Sequence, residues 1–536
     1  MPLTNDTALY DLQASVVQRG GVLYRDILEP NLPGVVWIHL AVRSFLGHSS
    51  EAMRLFDLAV LGGILLVGVW WLSGTQPRMN IRGRVRNSPA VWFAVAGLAF
   101  YLSISEWCHC QRDTWMLLPA LVGVTLRRQQ YVRCLRTPAT SRVWLWAVAE
   151  GLVWGAGVWV KPYVVIPAFA AFCVSHLLLR NGRAFLTDAA GLLCGGLVAG
   201  GAGIAWMLST GCWHWFWETL REWNPRYFQA GREHWTKARF IAMSARLWPW
   251  SAVHLVAVPL ALRAVLTTVI RRNTPAADDQ GLAPRRRAAT PLLAAFYLGW
   301  LVHAYFLQHL FDYVHVPAVL IALLFLTDLA SRRAASSTGW RVAYTGFAVL
   351  VLLATPIVRG ERPKLWPGCV AGPNSPRLQD RLAHLRNPNR EDLARVAEYL
   401  RRCNVQGREV CFYNSDFVAL YQSLRLTPPT RFVYLHELLV FFPDRASEMH
   451  DQLAHTRLRY VVTDLVACGM PRQQAEAIGP DGPLAPPPAY KRGRRDFPWS
   501  LPVVYRAGTY LVHRVDRPSK AAPPGSGVQN SDLAEV

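Results

Sequence analysis

The chain has 536 residues, with 57 Lys and Arg against 35 Asp and Glu for a net charge of +22, while 52% of residues are hydrophobic and only 17% charged. Apolar runs of helix length recur between Leu55 and Val358, separated by Arg-rich breaks, and a run near 20 residues matches the hydrocarbon thickness of a bilayer. The pattern excludes a string of soluble domains over the first two thirds, and a nucleic-acid-binding face as well, because the basic residues sit between apolar runs, where they set topology.

In chain order, residues 1–53 read as an outer loop. Met1 to Gly20 is polar, with no apolar core behind a basic start, so no signal peptide is expected. Residues 32–48 (LPGVVWIHLAVRSFLGH) are apolar on one face, begin after a proline and close on Gly47, as a helix lying in the membrane interface does. Ten spans follow, at 54–73, 89–104, 113–126, 143–160, 162–179, 185–209, 249–270, 291–310, 316–330 and 342–358. The third and ninth are short, and extend, tilt or sit inside the bundle.

One alternating set of connections carries 19 basic residues, among them Arg78, Arg127, Arg128, Arg133, Arg180, Arg271 and Arg332; the other set carries 8. The richer set is expected on the cytoplasmic side. The N-terminus, the 105–112 turn, the 210–248 loop, the 311–315 turn and everything beyond the last span then face outward. Residues 359–390 are Pro- and Arg-rich and read as a linker. Residues 391–516 alternate helix and strand signals: a helix at Glu391–Cys403, strands at Glu409–Tyr413, Arg431–Tyr434 and Arg459–Thr463, helices at Asp416–Leu424 and Asp444–His455, and a hairpin from Val503–Tyr505 and Tyr510–Val515. The tail, 517–536, has a disordered composition. The expected fold is a polytopic α-helical membrane protein of about ten spans with a C-terminal extracytoplasmic α/β domain. Four of ten cysteines, Cys369, Cys403, Cys411 and Cys468, lie in the last part of the chain, where an outward location permits a disulfide.

The outward turns concentrate functional side chains. The first offers Asp6, Asp11, Asp26 and Glu29 with Tyr10, Tyr24 and Asn31; the second offers Glu106, Arg112 and Asp113; the turn after the eighth span offers Gln308, Asp312, Tyr313 and His315. Taken singly, a loop carboxylate is usually just solvated. Asp113 and Lys161 say more, because they abut apolar spans, where ionisable groups are costly and tend to be paired or functional. For Lys161 the bland alternative is snorkelling to the interface, and for the Trp cluster at 213–223 it is an aromatic belt. Arg226, Arg232 and Lys237 in the same loop are suited to phosphate. Acids, cations and aromatics on one face suit transfer of a sugar from a polyprenyl phosphate whose tail stays in lipid. The carboxylate removes the acceptor's proton as charge develops at the anomeric carbon, and cations neutralise the leaving phosphate.

Four stretches resemble the GT-C class of polyprenyl-phosphate-sugar glycosyltransferases, which includes the protein mannosyltransferases, the aminoarabinose transferase acting on lipid A, and the RgtA/B/C/D-like enzymes. They are Asp6 to Tyr10 followed by Gly20 to Asp26, with Pro33, Gly47 and Arg54; Gln111-Arg112-Asp113 opening a span; Gly157 to Pro162, a small-residue run ending in Lys; and Gln308 to Pro317. The stretches at Glu398–Leu400, Val410–Tyr413, Leu420–Tyr421 and Pro428–Phe432 resemble the outer domain of bacterial members. The resemblance implies Asp6 as catalytic base, Asp113 as an assisting acid, and Arg112 and Lys161 as contacts to donor phosphate, with Tyr24, Asp26, Tyr313 and His315 also binding substrate. It implies an inverting transfer of a hexosyl or pentosyl group to a lipid, polysaccharide or protein acceptor, at the outer face of a bacterial inner membrane. The alternatives are a transporter or flippase of lipid-linked sugars, and an inactive scaffold relative. The outer acids are able to hold a divalent cation, although no ligand spacing is visible. Two departures stand out. Family members carry a span ahead of the first loop, whereas this sequence opens inside that loop, and the family's Asp-Glu pair is Asp6-Thr7 here.

Overall fold

The computed structural model describes residues 3–73, 89–136, 141–179, 181–233, 236–270, 284–308, 311–334, 390–477 and 497–515, with a few single positions between 342 and 353. The chain divides into two units, Met1–Leu385 and Arg386–Val536.

The first unit is helical. It opens with α1 (Asn5–Gln18) and α2 (Gly34–Leu46). Among the described residues, seven helical stretches are long and apolar enough to cross a membrane: Ser50–Ser73, Ser141–Val160, Pro162–Leu179, Gly182–Ser209, Trp250–Ile270, Ala288–Leu307 and Asp312–Ser331. They contain α3 (Ser50–Ser73), α6 (Ser141–Val160), α7 (Val165–Leu179), α8 (Gly182–Ser209), α12 (Val253–Ile270), most of α13 (Pro284–Leu301) and much of α14 (Val316–Ala334). A shorter apolar helix, α4, covers Pro89–Ser103. Between α8 and α12 run three short helices, α9 (Trp213–Glu218), α10 (Asn224–Glu233) and α11 (Lys237–Arg246). The first nine expected spans thus coincide with described helices. The tenth, at 342–358, lies outside the described residues apart from those single positions, as do the 359–389 linker segment and the 517–536 tail.

The third expected span differs most. It is the start of α5 (Arg112–Arg136), a 25-residue helix about 37 Å long at roughly 1.5 Å per residue. It packs against α3, α6, α7, α13 and α14 and forms the interior of the bundle. Arg127, Arg128 and Arg133 were expected in a connecting loop but belong to this helix. The helix continues because these arginines find partners inside. Arg127 pairs with Glu150 of α6 at 2.8 Å and with Asp188 of α8, and His176 of α7 joins the same carboxylate at 2.8 Å. Arg128 donates to the Trp71 carbonyl at 2.9 Å and lies 4.1 Å over its ring. Hydropathy alone stops the span at the first charge; burial with countercharges lets the helix run on.

Close approach of α6 and α8 depends on glycines. A Cβ at Gly195 would meet the Val148 carbonyl oxygen at 2.1 Å, and one at Gly151 the Leu192 carbonyl oxygen at 2.1 Å. Small residues at such crossings let backbones touch where no hydrophobic drive separates helix from lipid.

The second unit holds a four-stranded sheet in the order β1-β2-β4-β3. β1 (Val410–Phe412) runs parallel to β2 (Tyr460–Asp464), which pairs antiparallel with β4 (Tyr510–Arg514), and β4 pairs antiparallel with β3 (Val503–Ala507). Helices cover Arg390–Arg402, Val418–Ser423, Leu435–Phe441 and Ala446–Ala454. The strand expected at Arg431–Tyr434 is absent. Its β-like residues Phe432 and Val433 are buried in packing instead, and Arg431 turns to Glu448 at 3.2 Å. Aromatic and β-branched residues report burial as readily as strand pairing. Cys403, Cys411 and Cys468 are free thiols, so the disulfide allowed by sequence is not formed among them; Cys369 lies outside the described residues.

Arg127 holds two buried carboxylates, so Arg127→Met should cost about 3–5 kcal/mol. A fall in the melting temperature of the detergent-solubilised protein checks this. Restoration by adding Glu150→Leu and Asp188→Asn is also expected.

Candidate active site

The site is assembled from connections at one end of the bundle, and α1 is its first wall. Its first turn carries Asp6, where the free N–H groups and dipole of a helix start favour negative charge. The helix is fixed to α2 by Asp11, which meets His39 Nδ1 at 2.9 Å and the Arg43 guanidinium; Arg43 also donates to the Ser49 carbonyl at 2.6 Å. Burial pushes the Asp11 carboxyl up, but the His39 and Arg43 hydrogen bonds outweigh it and hold it below the ordinary range. Asp11 is therefore a clamp, and it leaves Asp6 one turn earlier on a rigid rod.

The turn after α1 brings Glu29 inward. Tyr24 adopts a left-handed φ of 68°, donates its hydroxyl to the Asn31 carbonyl at 2.8 Å and sets its ring edge against Phe216 at 5.5 Å. Asp26 accepts the Val22 N–H at 2.7 Å and pairs with Arg25 at 2.8 Å. Tyr24 and Asp26 are thus both taken up in holding the turn. Buried Glu29 accepts from Gln13 Nε2 at 2.5 Å and from the Asn31 N–H at 2.8 Å.

The N-terminus of α5 brings the second pair of residues. Asp113 forms an ion pair with Lys161, which sits at the α6–α7 junction. Asp113 is 0% exposed and Lys161 2%, so the pair is shut away and the ammonium is spent on the carboxylate. Arg112 is half-buried, lies 5.9 Å from the Tyr10 ring centre, and its charge acts on Asp6, Glu29 and Tyr227 together. Tyr313, in the turn Asp312–His315, is hydrogen-bonded to Asp6. His315 lies behind it, buried and 4.4 Å from the Tyr305 ring. Tyr227 comes from α10.

Asp6 is half-buried, unlike Asp113. Its pKa is pushed up to about 6, first by burial, with the negative charges of Glu29 and Asp113 adding to the rise and Arg112 and the Tyr313 hydrogen bond opposing it. Glu29 is raised as well, by burial, and the Tyr227 phenol is pushed up to about 12 by burial. One reachable carboxylate that titrates near neutrality thus stands beside a guanidinium, and a proton acceptor and an anion partner share one space.

No family model and no curated protein matches the sequence. Among solved structures the chain is similar to the archaeal oligosaccharyltransferase AglB from Archaeoglobus fulgidus, determined in complex with an inhibitory peptide and a dolichol-phosphate; the two share 13% identity and superpose with a TM-score of 0.42. The match covers 86% of this chain and 66% of that one, so the chain spans just under two thirds of the length of AglB.

Asp6, Arg112, Asp113, Lys161 and Tyr313 come together as the sequence led one to expect. Tyr10, Glu29, Tyr227 and His303 join them. Tyr10 was legible, standing four residues from Asp6 and so on the same helix face. His303 was marked by being an ionisable residue inside an apolar span. Nothing in the spacing of the 210–248 loop singled out Tyr227.

Among the described residues, no three His, Cys, Asp or Glu side chains converge with metal-ligand geometry. Protein donors reach these carboxylates in part: Lys161 bonds one oxygen of Asp113, Gln13 and Asn31 bond Glu29, and Tyr313 bonds Asp6.

Lys161→Met should strand a buried carboxylate and cost about 3–5 kcal/mol, whereas a Lys161→Met, Asp113→Leu double variant should recover most of the loss. Thermal unfolding of the two proteins measures the difference.

Proposed function

We propose that the protein is a membrane glycosyltransferase that moves a sugar from a polyprenyl phosphate to a hydroxyl acceptor at the outer membrane face, with inversion. The observation that carries this reading is a half-buried carboxylate, raised to about 6, that lies within the field of Arg112 at one end of a set of membrane-length helices. A lipid-anchored donor presents its phosphate at that depth, and the apolar helices accommodate its tail.

In the proposed step, the Asp6 carboxylate takes the proton of the acceptor hydroxyl. The oxygen attacks the anomeric carbon from the face opposite the phosphate. The bond between that carbon and the phosphate oxygen breaks with its electron pair, and the polyprenyl phosphate leaves. Arg112 neutralises the charge that grows on the leaving group, which matters more than protonating it, because a phosphate is already a fair leaving group. Lys161, held by Asp113, acts by fixing the α5 terminus that presents Arg112. The acceptor is a glycan, a lipid or a protein carrying a free hydroxyl.

The sign of the pH dependence follows from the base. Asp6 must be ionised, so the log of kcat/KM should fall as pH drops below about 6, with unit slope. Asp6→Asn should lower kcat by about 10²–10⁴-fold and abolish that limb. Arg112→Gln removes the cation that lowers the Asp6 pKa, so the limb should move to higher pH while KM for the donor rises. Transfer of radiolabelled sugar from decaprenyl-phosphate esters, in membranes containing each protein, tests all three. Full-rate transfer by Asp6→Asn would remove Asp6 as base. Transfer should also persist in excess chelator.

A further inference from the structure

Two buried side chains beside the Asp6–Arg112 cluster each keep a polar atom that the protein leaves unmatched. Asp113 Oδ2 meets no partner among the described residues, and the His303 imidazole, bonded to Gln308, keeps a ring nitrogen unmatched, although both residues are 0% exposed. Gln308 and Lys161 lie beside the imidazole, and Asp113 and His303 lie within each other's field. His303 belongs to the π-helical turn Val302–Leu307 that ends the α13 stretch, a distortion frequent at functional sites. Its ring stacks on Tyr163 with centroids 5.3 Å apart and planes at 19°, which fixes the direction of its nitrogens. Buried polar atoms left unmatched are costly and rare, so a polar group from outside the chain belongs there.

The chemistry of the two side chains narrows that group. A carboxylate oxygen only accepts, whereas a neutral imidazole accepts at one nitrogen and donates at the other. Hydroxyl groups satisfy both. A phosphate does not, since it offers Asp113 no donor and repels it. An ammonium is also a poor match, because Lys161 already neutralises Asp113. Resting on the glycosyltransferase reading, we propose that Asp113 and His303 form the subsite for the donor's sugar ring and select a neutral sugar with free hydroxyls. Asp113 Oδ2 accepts from one hydroxyl and His303 engages a neighbouring one. The phosphate is left to Arg112 and the acceptor to Asp6.

The test is equilibrium binding to the full chain in nanodiscs, of decaprenyl phosphate alone and of its glucosyl, galactosyl, mannosyl, arabinofuranosyl, aminoarabinosyl and galacturonosyl esters. At least one neutral ester should bind more tightly than decaprenyl phosphate and than both charged-sugar esters. His303→Phe should weaken that ester about tenfold, the loss expected for a hydrogen bond to a charged or buried group, and leave decaprenyl phosphate unchanged. His303→Gln, which keeps a donor and an acceptor, should recover most of the loss. Equal weakening of both lipids, no weakening of the ester, or a charged-sugar ester bound most tightly overturns the subsite. The ester preference is read on the wild type, so it stands as a test even if His303→Phe fails to fold. If decaprenyl phosphate binds but no ester is preferred, only the subsite fails; if no lipid phosphate binds at all, the glycosyltransferase reading fails with it.

Discussion

A carboxylate and an ammonium cannot be carried singly into the interior of a helical bundle, because each loses its hydration with nothing in return. Asp113 and Lys161 enter together. Their pairing ties the start of α5 to the junction of α6 and α7, and that junction sets where Arg112 stands. Arg112 in turn shapes the field felt by Asp6, Glu29 and Tyr227. A buried pair of this kind gives little net stability and much specificity, and here the specificity lies in the position of one helix end.

The same helix is fixed by charge a second time. Arg127 reaches Glu150 and Asp188, and through Asp188 it is linked to His176. α5 is thus held at one point near its start and at another four turns on, with apolar contacts to α3, α13 and α14 between. A rod held at two points leaves little freedom to tilt, so the residues at its first turn are placed in part by contacts four turns away. The division of labour among the acids follows from exposure. Asp11 and Glu29 are buried and matched by protein donors, Asp113 is buried with one oxygen on Lys161, and Asp6 remains half-buried. Desolvation enough to raise a carboxyl toward neutrality, with access enough to exchange a proton, is the condition a general base needs.

The second unit follows other rules. Its parallel and antiparallel strands read as short buried runs, and most were visible in sequence because strand and helix periods differ. Arg431–Tyr434 was the exception, since a four-residue segment with only Phe432, Val433 and Tyr434 apolar carries no period from which pairing can be distinguished from burial. The thiols of Cys411 and Cys468 are buried and free; cysteine count permits a disulfide, but only the distance between particular Cβ atoms decides it.

The sequence by itself determined the helical class, the positions of nine helices, seven of them long and apolar enough to cross a membrane, and the clustering of Asp6, Arg112, Asp113, Lys161 and Tyr313, because hydropathy and the cost of charge near lipid are local properties of the chain. Only the tertiary structure decided which charges are partners. It turned Arg127 and Arg128 from loop residues into the buried part of a longer helix, made Asp11 a clamp and Lys161 a mate for Asp113, and brought Tyr227 and His303 from distant segments to the same cluster of side chains. The reason is physical: pairing energy depends on the separation and burial of groups far apart in sequence, and no local pattern encodes either.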